Sequence, residues 1–275
     1  MQIATFWSGQ IRKDFVLCGR FTLRVPVIDL GQLFFAAMDQ MATDQMATDQ
    51  TVTDQGNEFE VGPPRFNIAP TQNILCVHHD SQRDRFVAAS YRWGLIPAWA
   101  KDIAIGVRMI NARSETLDSK PSFKQALARR RCVIPMDGYY EWTNATGGAG
   151  KQPYLIEPVD GQVKFMAGLW EENQQIGADG AIRSCTIITT PANTTTAHIH
   201  QRMPAFIREC DCPAWLDPRC HDASKLKMLL RPARQDLLKL MPVSRHVNSP
   251  RNEDKRCVSP LDDAPGKGQQ FIRFD

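Results

Sequence analysis

Short strand-like runs, broken mainly by Gly and Pro and without a repeating alternation with helices, are the strongest constraint this chain places on its fold. Such runs occupy Asn73–His78, Phe86–Trp93, Cys132–Met136, Tyr139–Trp142, Tyr154–Glu157, Phe165–Trp170 and Ser184–Thr190. Cys18–Val25 (CGRFTLRV) alternates in polarity like an edge strand. Helical periodicity is confined to Ser122–Arg130, Ala223–Leu230, Ala233–Leu240 and a short amphipathic stretch after a candidate N-cap at Asp29. A parallel sheet would need a helix between successive strands. The pattern therefore predicts an α+β fold, with a curved, mainly antiparallel sheet or barrel-like core and a few short helices.

One segment departs from this pattern. Met41-Ala42-Thr43-Asp44-Gln45 recurs as Met46–Gln50 and loosely as Thr51–Gln55. A period of five matches neither helix nor strand and cannot keep one face on a core. Residues 37–62 are therefore expected to be a solvated insertion, with a binding arm as the alternative. No linker follows residue 62, so residues 18–260 are expected to form one domain, preceded by an extension over 1–17 and followed by a tail over 261–275. The eight cysteines are spread through 275 residues, and polar residues from Ser8 to Lys13 break up any export-signal core. Reduced thiols and a cytoplasmic location are expected. No apolar run is long enough to cross a membrane as a helix. The net charge of +3 permits an anionic partner without requiring one.

Chemistry-bearing side chains gather in a few blocks: Arg65–Pro70 (RFNIAP), Arg92–Ala100 (RWGLIPAWA), Ile110–Thr116 (INARSET), Pro135–Trp142 (PMDGYYEW) and His198–Pro204 (HIHQRMP). Taken singly, Asn111, Glu141 and His200 each have an ordinary structural reading, because polar groups near a core usually find a local partner. Taken together and in this order, from Cys18-Gly19-Arg20-Phe21 to Pro242-Val243-Ser244 and Val247-Asn248, the blocks resemble the SOS-response-associated peptidase (SRAP) family, the abasic-site processing proteins.

The resemblance implies recognition of abasic sites in single-stranded DNA and crosslinking through an N-terminal cysteine, with no metal and no organic cofactor. It assigns Cys18 as the nucleophile, Asn111 to orient the amine or the sugar, Glu141 as general base and His200 as the acid that opens the sugar ring. Arg20, Asn67, Arg113 and Arg202 become candidate DNA contacts. Trp93 and Trp99, with Leu95 and Ile96, are candidates for an apolar shelf beside the lesion, Trp99 the foremost; for Trp93 and Ile96 a place in the core is an equal alternative. A monomer is expected.

Two departures from the family pattern bear on this reading. Residues 1–17 precede Cys18, so a free α-amine requires either initiation at the Leu17 codon or removal of a leader by self-cleavage. Gln201 stands where the family usually carries Asp, which would favour a protonated His200. Three further readings remain open: a non-covalent single-strand-binding module, a cysteine protease using Cys18, His200 and Asn111, and a zinc site at Cys210, Cys212, Cys220 and His221. Cys76, Cys132 and Cys185 lie in apolar runs and read as small core residues.

Overall fold

A computed structural model describes residues 19–25, 63–144, 150–177 and 180–261. Cys18, the extension, the stretch after Asp29, the repeat segment and the tail after Leu261 lie outside the described residues. The chain builds strands β1 (Arg20–Leu23), β2 (Arg65–Ile68), β3 (Asn73–Asp80), β4 (Arg85–Trp93), β5 (Asn111–Arg113), β6 (Arg131–Met136) and β7 (Gly138–Asn144). They are followed by β8 (Lys151–Pro158), β9 (Lys164–Asn173), β10 (Ile182–Pro191), β11 (Arg202–Pro204), β12 (Phe206–Ile207) and β13 (Leu238–Pro242). Three short helices accompany them: α1 (Pro121–Arg129), α2 (Cys212–Leu216) and α3 (Ala223–Met228).

The strands form two sheets. The first runs β13-β8-β7-β1-β2, and every pairing within it is antiparallel. In the second, β10, β4, β3, β6 and β9 are neighbours in turn, and β9 pairs back onto β10 to close a ring of five strands. β10 supplies the parallel pairings, with β4 and with β5. The result is the mixed α+β architecture, mostly antiparallel with few helices, that the strand pattern predicts.

Alternation explains which faces are buried. Along β4, Val87, Ala89, Tyr91 and Trp93 turn inward, where they meet Phe21 of β1, Tyr139 of β7, Ile187 of β10 and Met203 of β11 in one core. β6 is buried at every position, because its other face is covered by α1 and α2. Pro121 sits at the start of α1, and Phe123, Ala126 and Leu127, spaced three and four apart, face Val133 of β6, Leu169 of β9 and Trp215. Cys76, Cys132 and Cys185 are fully buried, as their apolar surroundings suggest, and burial together with their mutual contact pushes the Cys76 thiol well up.

Two local expectations are corrected. β1 lies between β7 and β2 and is not an edge strand; Arg20, which gives the segment its edge-like polarity, is held by internal acceptors. Ala233–Leu240 is not a helix. It is a single tight turn over Gln235–Leu237 running into β13, whose Leu238, Leu240 and Met241 take register against Pro158, Ile156 and Leu155 of β8. Cross-strand pairing outweighs the local helical preference there.

Candidate functional site

Asn111 and Arg113 are placed by a short parallel strand. The Trp93 indole Nε1 donates to the Ile110 carbonyl at 2.8 Å, and the Ile187 amide donates to the same oxygen at 3.1 Å. β5 then runs beside β10 with Asn111 opposite Ile187 and Arg113 opposite Thr189. Ala112 points into the core behind α1, so Asn111 and Arg113 share the opposite face.

His200 and Arg202 reach the other side of β10. β11 pairs with it so that Arg202 lies opposite Pro191 and Pro204 opposite Thr189. The Arg202 guanidinium clasps both carboxylate oxygens of Glu115, with Nη2 to Oε2 at 2.9 Å, and donates to the Thr189 carbonyl at 2.6 Å. That clasp holds the Glu115 carboxyl at about 2. Lys227 of α3 donates to the Glu115 carbonyl at 3.3 Å and pairs with Asp118 at 3.0 Å, fixing the turn that carries Glu115. Nδ1 of His200 lies 3.0 Å from the Arg202 amide and 3.2 Å from the Arg202 carbonyl, so this residue's backbone fixes the imidazole ring.

A second group surrounds β1. Glu141, only 3% exposed, lies on β7. Arg20 pairs with Tyr140, so one step along the same antiparallel register sets Gly19, the residue after Cys18, opposite Glu141. Asn67 is fully buried: its amide nitrogen donates to the carbonyls of Val247, Ser249 and Asn252, and its oxygen accepts from Arg20 Nη1 at 3.0 Å. Arg20 also donates to the carbonyls of Val247 (2.7 Å) and Asn248 (3.2 Å) and sits 5.8 Å above the Trp142 ring. Glu253 completes the strap by accepting the Phe66 and Asn67 amides. In this structure Arg20 and Asn67 serve the chain's own 247–252 segment.

Trp99 stands on a third element. Asn173 donates to the carbonyls of Pro97 (2.7 Å) and Ala100 (2.9 Å), and the Ala98 amide donates to Glu171 at 3.1 Å. This pinned turn leaves the Trp99 ring 55% exposed. Burial pushes the Glu171 carboxyl up, against the opposing pull of its partner Arg130. Of the rest of the expected shelf, Trp93 and Ile96 take the alternative place in the core, and Leu95 is corrected: it too is fully buried. The exposed apolar side chains that follow Trp99 are Ile103 and Val107, on the tight turn Ile103–Arg108. Nothing in the sequence marked them. Their turn is seated by backbone contact between Gly94 (φ +125°) and Gly106: a Cβ on Gly94 would lie 2.6 Å from the Gly106 carbonyl oxygen, so only glycine fits there.

Apart from Trp99, the described sequence-predicted residues thus fall into two groups, one about the C-terminal half of β10 and one about β7, β1 and β2. They are joined by the edge-to-face contact of Phe21 with Trp93 (5.4 Å) and the bond from Trp93 to the residue before Asn111. The suggested zinc set does not assemble among the described residues: Cys212 is buried with its thiol pushed up to about 12, whereas Cys210 is exposed and His221 bonds the Ala128 carbonyl. No described helix is long and apolar enough to cross a membrane.

The ringed sheet, the antiparallel sheet that shares its core and the residue blocks along their edges define a known class of protein. A sequence profile of the SOS response associated peptidase (SRAP) family matches residues 17–250, and the chain belongs to that family. Abasic site processing protein YoqW of Bacillus subtilis (strain 168) is 38% identical over 243 residues, covering 88% of this chain and 99% of the relative. Abasic site processing protein HMCES of Gallus gallus is 32% identical over 209 residues, 68% of this chain and 61% of the relative. A solved protein from Bacteroides thetaiotaomicron superposes with a TM-score of 0.69 at 22% identity, covering 89% of this chain and all of that one. At that identity the likeness speaks for the fold.

Proposed function

We propose that this chain recognises abasic sites in single-stranded DNA and captures them covalently through Cys18. Membership of the SRAP family and the names of its relatives support the DNA lesion as substrate. The observation that carries the reading is the register of β1 on β7, which brings the chain directly after Cys18 alongside the buried carboxylate of Glu141.

The chemistry follows from a cysteine with a free α-amine. The ring-opened sugar presents an aldehyde at C1′. The amine adds to that carbon, and loss of water leaves a Schiff base. The thiol then adds to the same carbon while its proton passes to nitrogen, closing a five-membered thiazolidine. Because both nucleophiles belong to one residue, the second step is intramolecular and gains from proximity. Amine and thiol titrate near about 8 and 8.5, so modest assistance suffices at neutral pH. Glu141 takes the proton lost from the amine, and the Asn111 amide orients amine or sugar. His200 offers an imidazole proton to the ring oxygen as the sugar opens. Arg113 and Arg202 meet flanking phosphates, Trp99 stacks on a base, and Arg20 and Asn67 hold the 247–252 segment against β1 and β2.

The amine becomes free when residues 1–17 are absent, through initiation at Leu17 or self-cleavage; the latter gives the chain an autopeptidase step. The protein acts as a cytoplasmic monomer on this reading. A denaturing gel with abasic single-stranded DNA, combined with N-terminal sequencing of protein from the native gene, tests it. The expected result is a crosslinked band from chains beginning at Cys18 and none from Cys18→Ala. A crosslink formed by chains that retain Met1 overturns the mechanism; binding without any crosslink supports the non-covalent module.

A further inference from the structure

On the segment that Arg20 and Asn67 grip, two tight turns bring together three side chains of a kind that metals select. Arg245–Asn248 and Lys255–Val258 face each other, and the segment containing them is closed at its base by the bridge between Val243 and Pro260. His246 comes from the first turn, Cys257 from the second, and Asp254 caps the start of the second. One ligand atom from each lies within 4.8 Å of the other two.

We infer that His246, Asp254 and Cys257 form a binding site for one thiophilic divalent transition metal ion, with zinc(II) the ion whose preferences they match. Imidazole nitrogen, carboxylate oxygen and thiolate sulfur are each zinc ligands, and with water in the fourth position they complete a tetrahedron. Tetrahedral bonds of about 2.0–2.1 Å place nitrogen and oxygen ligands about 3.3 Å apart. His246 Nε2 and Asp254 Oδ2 stand 3.2 Å apart. Little movement is therefore needed to seat an ion between them. Cys257 is fully buried beneath the pair, whereas His246 and Asp254 are partly open and provide the way in.

The surroundings hold these ligands in place. Arg256 grips Asp254 through its amide (2.9 Å) and guanidinium (2.7 Å), as expected of a carboxylate fixed for coordination. The Asn252 side chain bonds the His246 carbonyl at 2.6 Å and approaches Nδ1 at 3.2 Å, setting the ring. The Cys257 thiol lies 3.4 Å from the Asn252 carbonyl. Loading exchanges the thiol proton for the metal: one S–H bond breaks, one S–metal bond forms, and the proton leaves to solvent. Thiolate and carboxylate together neutralise the ion.

The ion would be structural. The carbonyls of Val247, Ser249 and Asn252, which receive Asn67 and Arg20, lie between these ligands in sequence. Joining 246 to 254 and 257 staples that strap shut.

Untagged, chelator-stripped full-length protein titrated with cobalt(II), as a spectroscopic stand-in for zinc(II), tests the assignment. One equivalent is expected to bind with a near-ultraviolet thiolate-to-cobalt band. That band is expected to vanish in Cys257→Ala and to persist in Cys18→Ala and Cys210→Ala. Because Cys257 is buried, Asp254→Asn provides the second variant, since Asn still caps the turn. Zinc(II) is expected to raise the melting temperature of the parent and to leave that of Asp254→Asn unmoved. No band in the parent, a band surviving Cys257→Ala, or an equal zinc(II) shift in Asp254→Asn overturns the site.

Discussion

Arg202 grips Glu115 with two parallel hydrogen bonds while its Nη2 also reaches the Thr189 carbonyl, so the guanidinium assigned to a DNA phosphate already holds an anion. A phosphate must displace Glu115 or share the cation with it. Partly exposed pairs of this kind are worth about 0.2–1 kcal/mol. Glu115→Gln is accordingly expected to tighten single-stranded DNA binding by up to about fivefold. Fluorescence anisotropy across a salt series measures this; unchanged or weaker binding rejects the competition.

The same pair sets a pH dependence. Arg202 depresses the folded-state carboxyl of Glu115 to about 2. Its contribution is therefore complete above the ordinary carboxylate range and is lost as pH falls toward about 2. Acid unfolding followed by circular dichroism between pH 5 and pH 2 (about the range spanned by the two values) is expected to be shallower in Glu115→Gln. An identical acid limb in both proteins removes the assignment.

Trp99 and Trp93 separate binding from folding. Trp99→Ala removes a ring that projects into solvent, and it is expected to cost about 1–3 kcal/mol of single-strand affinity at an unchanged melting temperature. Trp93→Ala empties the core and breaks the bond to Ile110, for an expected loss of about 3–5 kcal/mol of stability. Equal melting temperatures for the two variants contradict the assignment.

Gln201→Asp places a carboxylate beside His200 and favours the protonated imidazole. Capture should survive with its pH–rate profile displaced to higher pH. Superimposable profiles for the two proteins discard the acid role of His200.

Asn67→Ala deletes the side chain on which three carbonyls of the 247–252 strap converge. Leaving such buried acceptors unmet costs about 1–3 kcal/mol. Limited proteolysis is expected to cut first between residues 244 and 258; a digestion pattern like the parent's argues against the strap's dependence on Asn67.

What could be read from the sequence follows physical range. β3, β4 and β6 to β10 are visible in sequence because each buries its own alternating or continuous apolar run. β5 is three residues long and exists because β10 lies beside it, so no local pattern announces it. The leucines before Pro242 mimic a helix until β8 supplies a partner. At the site, the order and wording of the residue blocks pointed to Asn111, Glu141 and His200, but not to what their neighbours hold. Arg20 and Asn67 read as DNA contacts because their acceptors, backbone carbonyls some 180 and more residues away, carry no side-chain signature.

The clamp of Arg20 and Asn67 on residues 247–252 also has a temporal consequence. The carbonyls they grip follow them in the chain by 180 residues and more, so during synthesis the clamp is absent until residues 247–252 have emerged. A nascent or prematurely terminated chain that stops short of residue 247 therefore carries β1 and β2 without this clamp.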